Sequence, residues 1–340
     1  MLDTILTNEP PPVDESRSKK LPSHILRYVY QSSRWHQVAL VAMTVVVFLL
    51  EVVPLELQRR VVNDLVKHRD YELVILLCAA YAGTVLVQGG IKMVVNIYRG
   101  WVGERAVRDL RIRVRSLLGG LPQEQIGSDA QGVGIAMLVA EVEPVGGFVG
   151  SSVSEPLLQG GILASVLSYI FHLDAWMALA ALLLFVPQFV FVPLMQGAIN
   201  RRTHTRVSIL RHLSVDVISS EENDATRKTD REYIDHAFSL NMGIYRIKFS
   251  MNFLMNLCNH FQVISALLLG GWWVYTERLE IGGVVAFISA IGRLNDPWGD
   301  LVNYFRDVNN AQVRYDLLSG AINQLADGKP LEQVEIPKDL

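Results

Sequence analysis

Two stretches of this chain, Trp176 to Ile199 and Phe249 to Tyr275, contain no Asp, Glu, Lys or Arg. Each exceeds the roughly 20 apolar residues that an α-helix needs to cross the hydrocarbon core of a bilayer. Water is absent there, so the backbone must bond to itself and an isolated segment must be helical.

Four more segments have the same reach but carry charges near an end or along one side: Gln37 to Leu57, Leu73 to Ile97, Gly146 to Phe171 and Gly282 to Leu301. The expected fold is an all-α membrane protein with six transmembrane helices. Composition agrees, since 50% of the residues are hydrophobic and only 19% are charged. The net charge of −3 argues against a nucleic-acid partner, which requires a basic surface to neutralise phosphates. Cys78 and Cys258 lie in apolar runs and read as small core hydrophobes, not as a disulfide or a metal site.

Basic residues set the orientation. With the N-terminus inside, the outer segments hold only Arg59, Arg60, Lys67, Arg69 and Arg278 of the 31 Lys and Arg, the bias expected of cytosolic loops. Both termini are then cytosolic, and the expected location is a bacterial plasma membrane. Residues 1–20, with Pro10, Pro11 and Pro12, read as a disordered tail, 21–325 as the transmembrane domain, and 326–340 as a C-terminal tail. In "LPSHILRYVYQSSRWHQ", Ile25, Leu26, Val29 and Tyr30 form one apolar side, which predicts an interfacial helix over 24–36.

The connections are uneven. The outer turns "HLDA" and "TERLEI" are short, whereas the two inner connections are long and rich in helix formers, and loops that long carry structure or function of their own. No proline lies between Pro54 and Pro122, so the helix from Leu73 is predicted to reach Leu118, about 69 Å. Between Pro193 and Pro297 the fourth helix should leave the membrane through "NRRTHTRVSILRHLSVDVISS" and the fifth return through "REYIDHAFSLNMGIYRIKF", with "EENDATRKTD" as the polar turn. Long cytosolic helical extensions follow.

The last span, "GGVVAFISAIGRLNDPWGD", carries charge early. Arg293, Asp296, Asp300, Asn303, Asp307, Asn310 and Arg314 recur at steps of three and four, and Leu294, Trp298, Leu301, Phe305 and Val308 do so on another face. A lipid-facing charge near the bilayer centre costs roughly 2.5 to 3.5 kcal/mol. One continuous helix is therefore predicted, its wet face lining a cavity open to the cytosol, with Arg293 and Asp296 partly neutralising each other.

Leu121-Pro122, Gly132 and Glu141-Val142, together with the Gly-x-x-x-Ala-Phe start of the last span and its later Pro297, carry a resemblance. The chain resembles the transmembrane domain of exporter-type (type I) ABC transporters over almost its whole length. It departs from that pattern at Gln125-Ile126, where the family often has Phe-Phe, and at Met137, where a basic residue is common. The resemblance implies the ABC exporter transmembrane fold, a homodimer or heterodimer of twelve helices around an alternating-access cavity, and cytosolic tips docked on ATPase domains. Those tips would be at Leu121, Pro122, Gln125 and Ile126, and at Glu221, Glu222 and Asp224. The chain lacks the phosphate-cradling G-x-x-x-x-G-K-[ST], because Gly127 and Gly132 are followed by Val133 and Gly134. No nucleotide-binding domain, enzymatic activity or bound cofactor is expected. ATP would act through a separate ABC ATPase subunit, unless no ATP motor exists.

Candidate residues for the substrate cavity are Asn252, Asn256, Asn259 and His260 on the fifth span and Arg293, Asp296 and Asp300 on the sixth. The bland alternative for the asparagines is interhelical hydrogen bonding worth about 0.6 kcal/mol each. Gly146, Gly150 and Ser154, beside Gly147 and Ser151, read as close helix packing. Glu51, Glu141 and Glu155 are candidate proton sites if the chain is instead a proton-driven, peptide-type secondary transporter on the same fold, and the depths expected for Glu51 and Glu155 keep them from bonding directly. A non-transporting membrane accessory is a third reading. Trp35, Trp176, Trp272, Trp273 and Tyr275 fall where the headgroup belt is expected. Neither the substrate nor its direction of travel is written in these residues.

Overall fold

The computed structural model describes residues 20–68, 70–119, 141–219 and 224–327, and for 118, 204, 207–208, 210–219 and 224–230 the backbone alone. The regular structure among these residues is all helical: α1 (Ile25–Leu50), α2 (Val52–Val66), α3 (Tyr71–Gly119), α4 (Val142–Ser151), α5 (Ser154–Leu173), α6 (Ala175–Ser219), α7 (Asp224–Tyr275), α8 (Ile281–Gly292) and α9 (Asn295–Ala326).

Proline explains three of the interruptions. It has no N–H, and its ring clashes with the carbonyl four residues back. Pro54, Pro156 and Pro297 therefore disturb Leu50, Ser152 and Arg293, the places where α1 gives way to α2, α4 to α5 and α8 to α9. At the third break the N–H groups of Arg293 and Leu294 bond three residues back, to Ala290 at 3.0 Å and Ile291 at 3.1 Å. The expected continuous helix from Gly282 to Leu301 is thus corrected, because Arg293 ends one helix while Asp296 and Asp300 begin another. Pro187 and Pro193 are absorbed inside α6 without a break.

Among the described residues five stretches are long and apolar enough to cross a membrane: Ile25–Val66, Tyr71–Leu117, Val142–Leu173, Ala175–Thr203 and Arg231–Tyr275. This makes a multi-pass membrane protein. The expected sixth span does not qualify by itself, since α8 has 12 residues and reaches only about 18 Å.

The long extensions are present. Helices α3, α6 and α7 have 49, 45 and 52 residues. Helix α7 starts at Asp224, inside the stretch expected to be a turn, so the turn is shorter than its polarity suggested. Leu121, Pro122, Gln125, Ile126, Glu221 and Glu222 lie outside the described residues.

The chain divides into two compact units, one with α1 to α4, most of α5, and α9 from Asp296 onward, the other with α6 to α8. In the first, α3 packs against α1, α2 and α4. Its contact with α4 is backbone to backbone: a Cβ on Gly150 would lie 2.3 Å from Arg99 O, and one on Gly103 would lie 3.1 Å from Gly146 O. The small-residue stripe read from the sequence is therefore a packing seam, with Gly147 on its open side.

The N-terminal helix differs from its expectation. It is continuous with the first span and is set off by a kink at Ser33 (φ −139, ψ 22). Ile25, Tyr28 and Val29 are buried while Leu26 and Tyr30 point out, so the expected single apolar side is split between protein and surroundings. Lys20, assigned to the tail, pairs with Asp327 at 2.8 Å, and the Tyr315 hydroxyl donates to Pro22 O at 2.7 Å. Burial, with Tyr28 beside it, pushes the Tyr315 phenol up and keeps it a donor.

In the second unit α6 and α7 form an antiparallel hairpin in register. Beyond the apolar halves, Arg202 Nη1 donates to Gly243 O at 3.1 Å and Arg206 Nη1 to Asn241 Oδ1 at 2.7 Å. The two polar extensions are thereby tied into one arm.

Candidate functional site

A polar cluster lies in the first unit, where α5 and α9 restart two residues before Pro156 and Pro297. Glu155 sits in the first turn of α5, where the helix dipole favours an acidic side chain. Gln159 follows one turn later on the same face. Arg99 comes from α3, beside the glycine seam, and Asp300 from the second turn of α9.

These side chains form one chain of hydrogen bonds. Arg99 Nη1 donates to Glu155 Oε2 in an ion pair. Gln159 Nε2 donates to Glu155 Oε1 at 2.8 Å and to Asp300 Oδ2 at 3.1 Å, so one amide bridges two carboxylates. Arg99 and Glu155 are mostly buried, with 17% and 23% of their side chains exposed, whereas Asp300 is exposed. The Arg99 Nε and Nη2 atoms are buried without a partner among the described residues. Lys92 and Asp296 act on Asp300 through space. The bonded set holds one more carboxylate than cation.

Tyr304, one turn beyond Asp300, closes the site. Its hydroxyl donates to Ser152 O at 2.5 Å, the carbonyl that Pro156 cannot serve. Tyr304→Phe should lower stability by about 1 kcal/mol, as measured by thermal unfolding in detergent. Pro156→Ala, which restores an N–H to that position, should offset the loss in the double variant.

The sequence candidates fare unevenly. Glu155 and Asp300 are brought together, and Asp296 is nearby and exposed. Arg293 is half-buried on the far side of the break. Glu51 accepts from Gln88, and Glu141 pairs with Arg314 at 3.0 Å. Glu51 and Glu155 thus have separate partners, as their depths required. Asn252, Asn256 and His260 are exposed, and the Asn259 Oδ1 atom is buried without a partner. The interhelical bonds expected of these asparagines are not made to any described residue. On α9 Asp307 and Asn310 are exposed as expected, and Phe305 is 62% exposed.

Arg99, Gln159 and Tyr304 were missed. Arg99 fell just past the expected end of its span, and Gln159 and Tyr304 belong to no charge pattern. The signal available was Glu155 and Gln159 four residues apart on an otherwise uncharged helix.

No protein-family model matches the chain, and no curated protein is significantly similar to it.

Proposed function

We propose that this chain is the membrane subunit of an ABC-type transporter, working by alternating access as a dimer and driven by a separately encoded ATPase. The observation that carries the reading is the α6–α7 hairpin. Its apolar halves lie side by side, and its polar halves continue as one tied arm, from Ile199 to Ser219 about 30 Å on α6 alone. A lever of that length transmits a motor's motion to the spans, and the extension of α3 supplies a second. The exposed Asn252, Asn256 and His260 need a polar partner within the bilayer, which a water-filled cavity or a second copy provides.

Cysteine placed at Gln125 tests this reading. In native membranes a crosslink from Cys at that position should capture a polypeptide bearing a complete phosphate-binding loop. Capture of a second copy alone would refute the docking assignment.

The proton-driven reading is favoured by the surplus carboxylate in the polar cluster. Glu51, Glu141 and Glu155 are each held by a partner, whereas among the described residues Asp300 accepts only from the neutral Gln159 amide. On that reading Asp300 carries the proton. Asp300→Asn should abolish proton-gradient-dependent uptake while Glu141→Gln retains it, and equal uptake by both variants would eliminate this reading.

A further inference from the structure

The outer end of the α6–α7 hairpin carries an open groove of about 520 Å³, lined by Trp176, Leu179, Ala180 and Leu183 of α6, Leu269 and Trp273 of α7, and Arg278. Its floor is hydrocarbon. Leu179 and Leu183 are 48% and 72% exposed, too much apolar surface to face water at this depth.

The mouth of the groove is different. Asp174 accepts the N–H groups of Trp176 at 2.8 Å and Met177 at 3.0 Å, which caps α6. The turn after α7 folds back, with Glu277 at φ 55 and Arg278 N bonded to Trp273 O at 2.8 Å. That geometry lays the Arg278 guanidinium over the Trp273 ring, 5.2 Å from its centroid. Arg278 is 55% exposed, and its Nε lies 4.0 Å from Asp174 Oδ2, a separation too long for a hydrogen bond, while the two backbone donors go to Oδ1. This loose pair leaves the guanidinium able to take a second anion at the mouth.

We propose that this groove binds one glycerophospholipid, its phosphodiester on Arg278 and an acyl chain along Leu179, Leu183 and Leu269. Charge complementarity chooses the occupant. An acyl chain alone would accept any apolar groove, but a guanidinium held over an indole at the mouth matches a phosphate oxygen pair. Trp176 and Trp273 stand at the mouth, where indole rings prefer the headgroup region and their N–H groups serve as donors. A second groove between α1 and α3, about 450 Å³ and lined by Met43, Val46, Val87, Gly90, Ile91 and Val94, has no charged residue to select a headgroup. The inference rests on the membrane reading and not on the motor, so its failure would leave the ATPase question open.

Native mass spectrometry of the full chain, in the assembly purified from membranes, tests it with two probes: phosphatidylglycerol and diacylglycerol, which lacks the phosphate. The expected result is one phosphatidylglycerol retained per chain, held about tenfold more weakly by Arg278→Gln, with diacylglycerol binding unchanged by that substitution. Leu183→Trp, which fills the floor, should release phosphatidylglycerol as well, while Val87→Trp in the other groove should not. Equal phosphatidylglycerol retention by wild type and Arg278→Gln would overturn the proposal. So would a disulfide between two copies through Leu183→Cys, because a second chain would then occupy the groove.

Discussion

Arg99→Met should destabilise the protein by about 3 kcal/mol, among the largest effects of any single side-chain truncation in the described structure. Among the described residues Arg99 is the only cation bonded to Glu155, and both side chains are mostly buried. Removing it leaves a carboxylate next to apolar helices with only the neutral Gln159 amide for support. Part of the loss is returned because Arg99 itself leaves Nε and Nη2 unpaired, which costs free energy in the wild type. The double variant Arg99→Met/Glu155→Met should therefore recover most of the stability, since an apolar pair often replaces a buried ion pair without loss. Thermal unfolding in detergent reads both. A single variant as stable as wild type would mean that water, and not Arg99, compensates Glu155.

The second large effect belongs to the glycine seam. A Cβ at position 150 would lie 2.3 Å from Arg99 O and 3.2 Å from Gly103 N, both backbone atoms that no rotamer change relieves. Gly150→Ala must push α3 and α4 apart and should cost about 3 kcal/mol. Three residues away, Gly147 meets nothing within 4 Å, so Gly147→Ala should be neutral or stabilise by roughly 0.5 kcal/mol through reduced chain entropy. The comparison of the two alanines, by unfolding temperature and by yield from membranes, separates helix propensity from packing. It also links two levels of the structure, because the carbonyl that excludes a methyl group at 150 belongs to Arg99, the residue that holds Glu155.

Much of the architecture was legible in the sequence because bilayer physics leaves few options. Uncharged runs near positions 176–199 and 249–275 had to be spans, and a proline-free interval around Leu73 to Leu118 produced the 49-residue α3. The breaks were missed because the spans were run through their prolines. Pro187 and Pro193 lie inside α6, yet Pro54, Pro156 and Pro297 each accompany a break, and only tertiary context decides between the two outcomes. The face analysis of the last helix kept Asp296 and Asp300 together but ran Arg293 into the same stripe across a break. The cluster itself was half visible. Glu155 and Asp300 stood out as charges at membrane depth, whereas Gln159, which joins them, and Tyr304, which supplies the orphaned Ser152 carbonyl, are roles that exist only once α3, α5 and α9 are side by side.

The most direct test of the central claim is purification of the chain from its native membranes in a gentle detergent, with every co-purifying polypeptide identified by mass spectrometry. The expected result is a stoichiometric partner carrying a complete phosphate-binding loop, which this chain lacks. A dimer of the chain that reproducibly carries no ATPase across several detergents would contradict it, and would leave Asp300 and its neighbours as the means of coupling transport to a proton gradient.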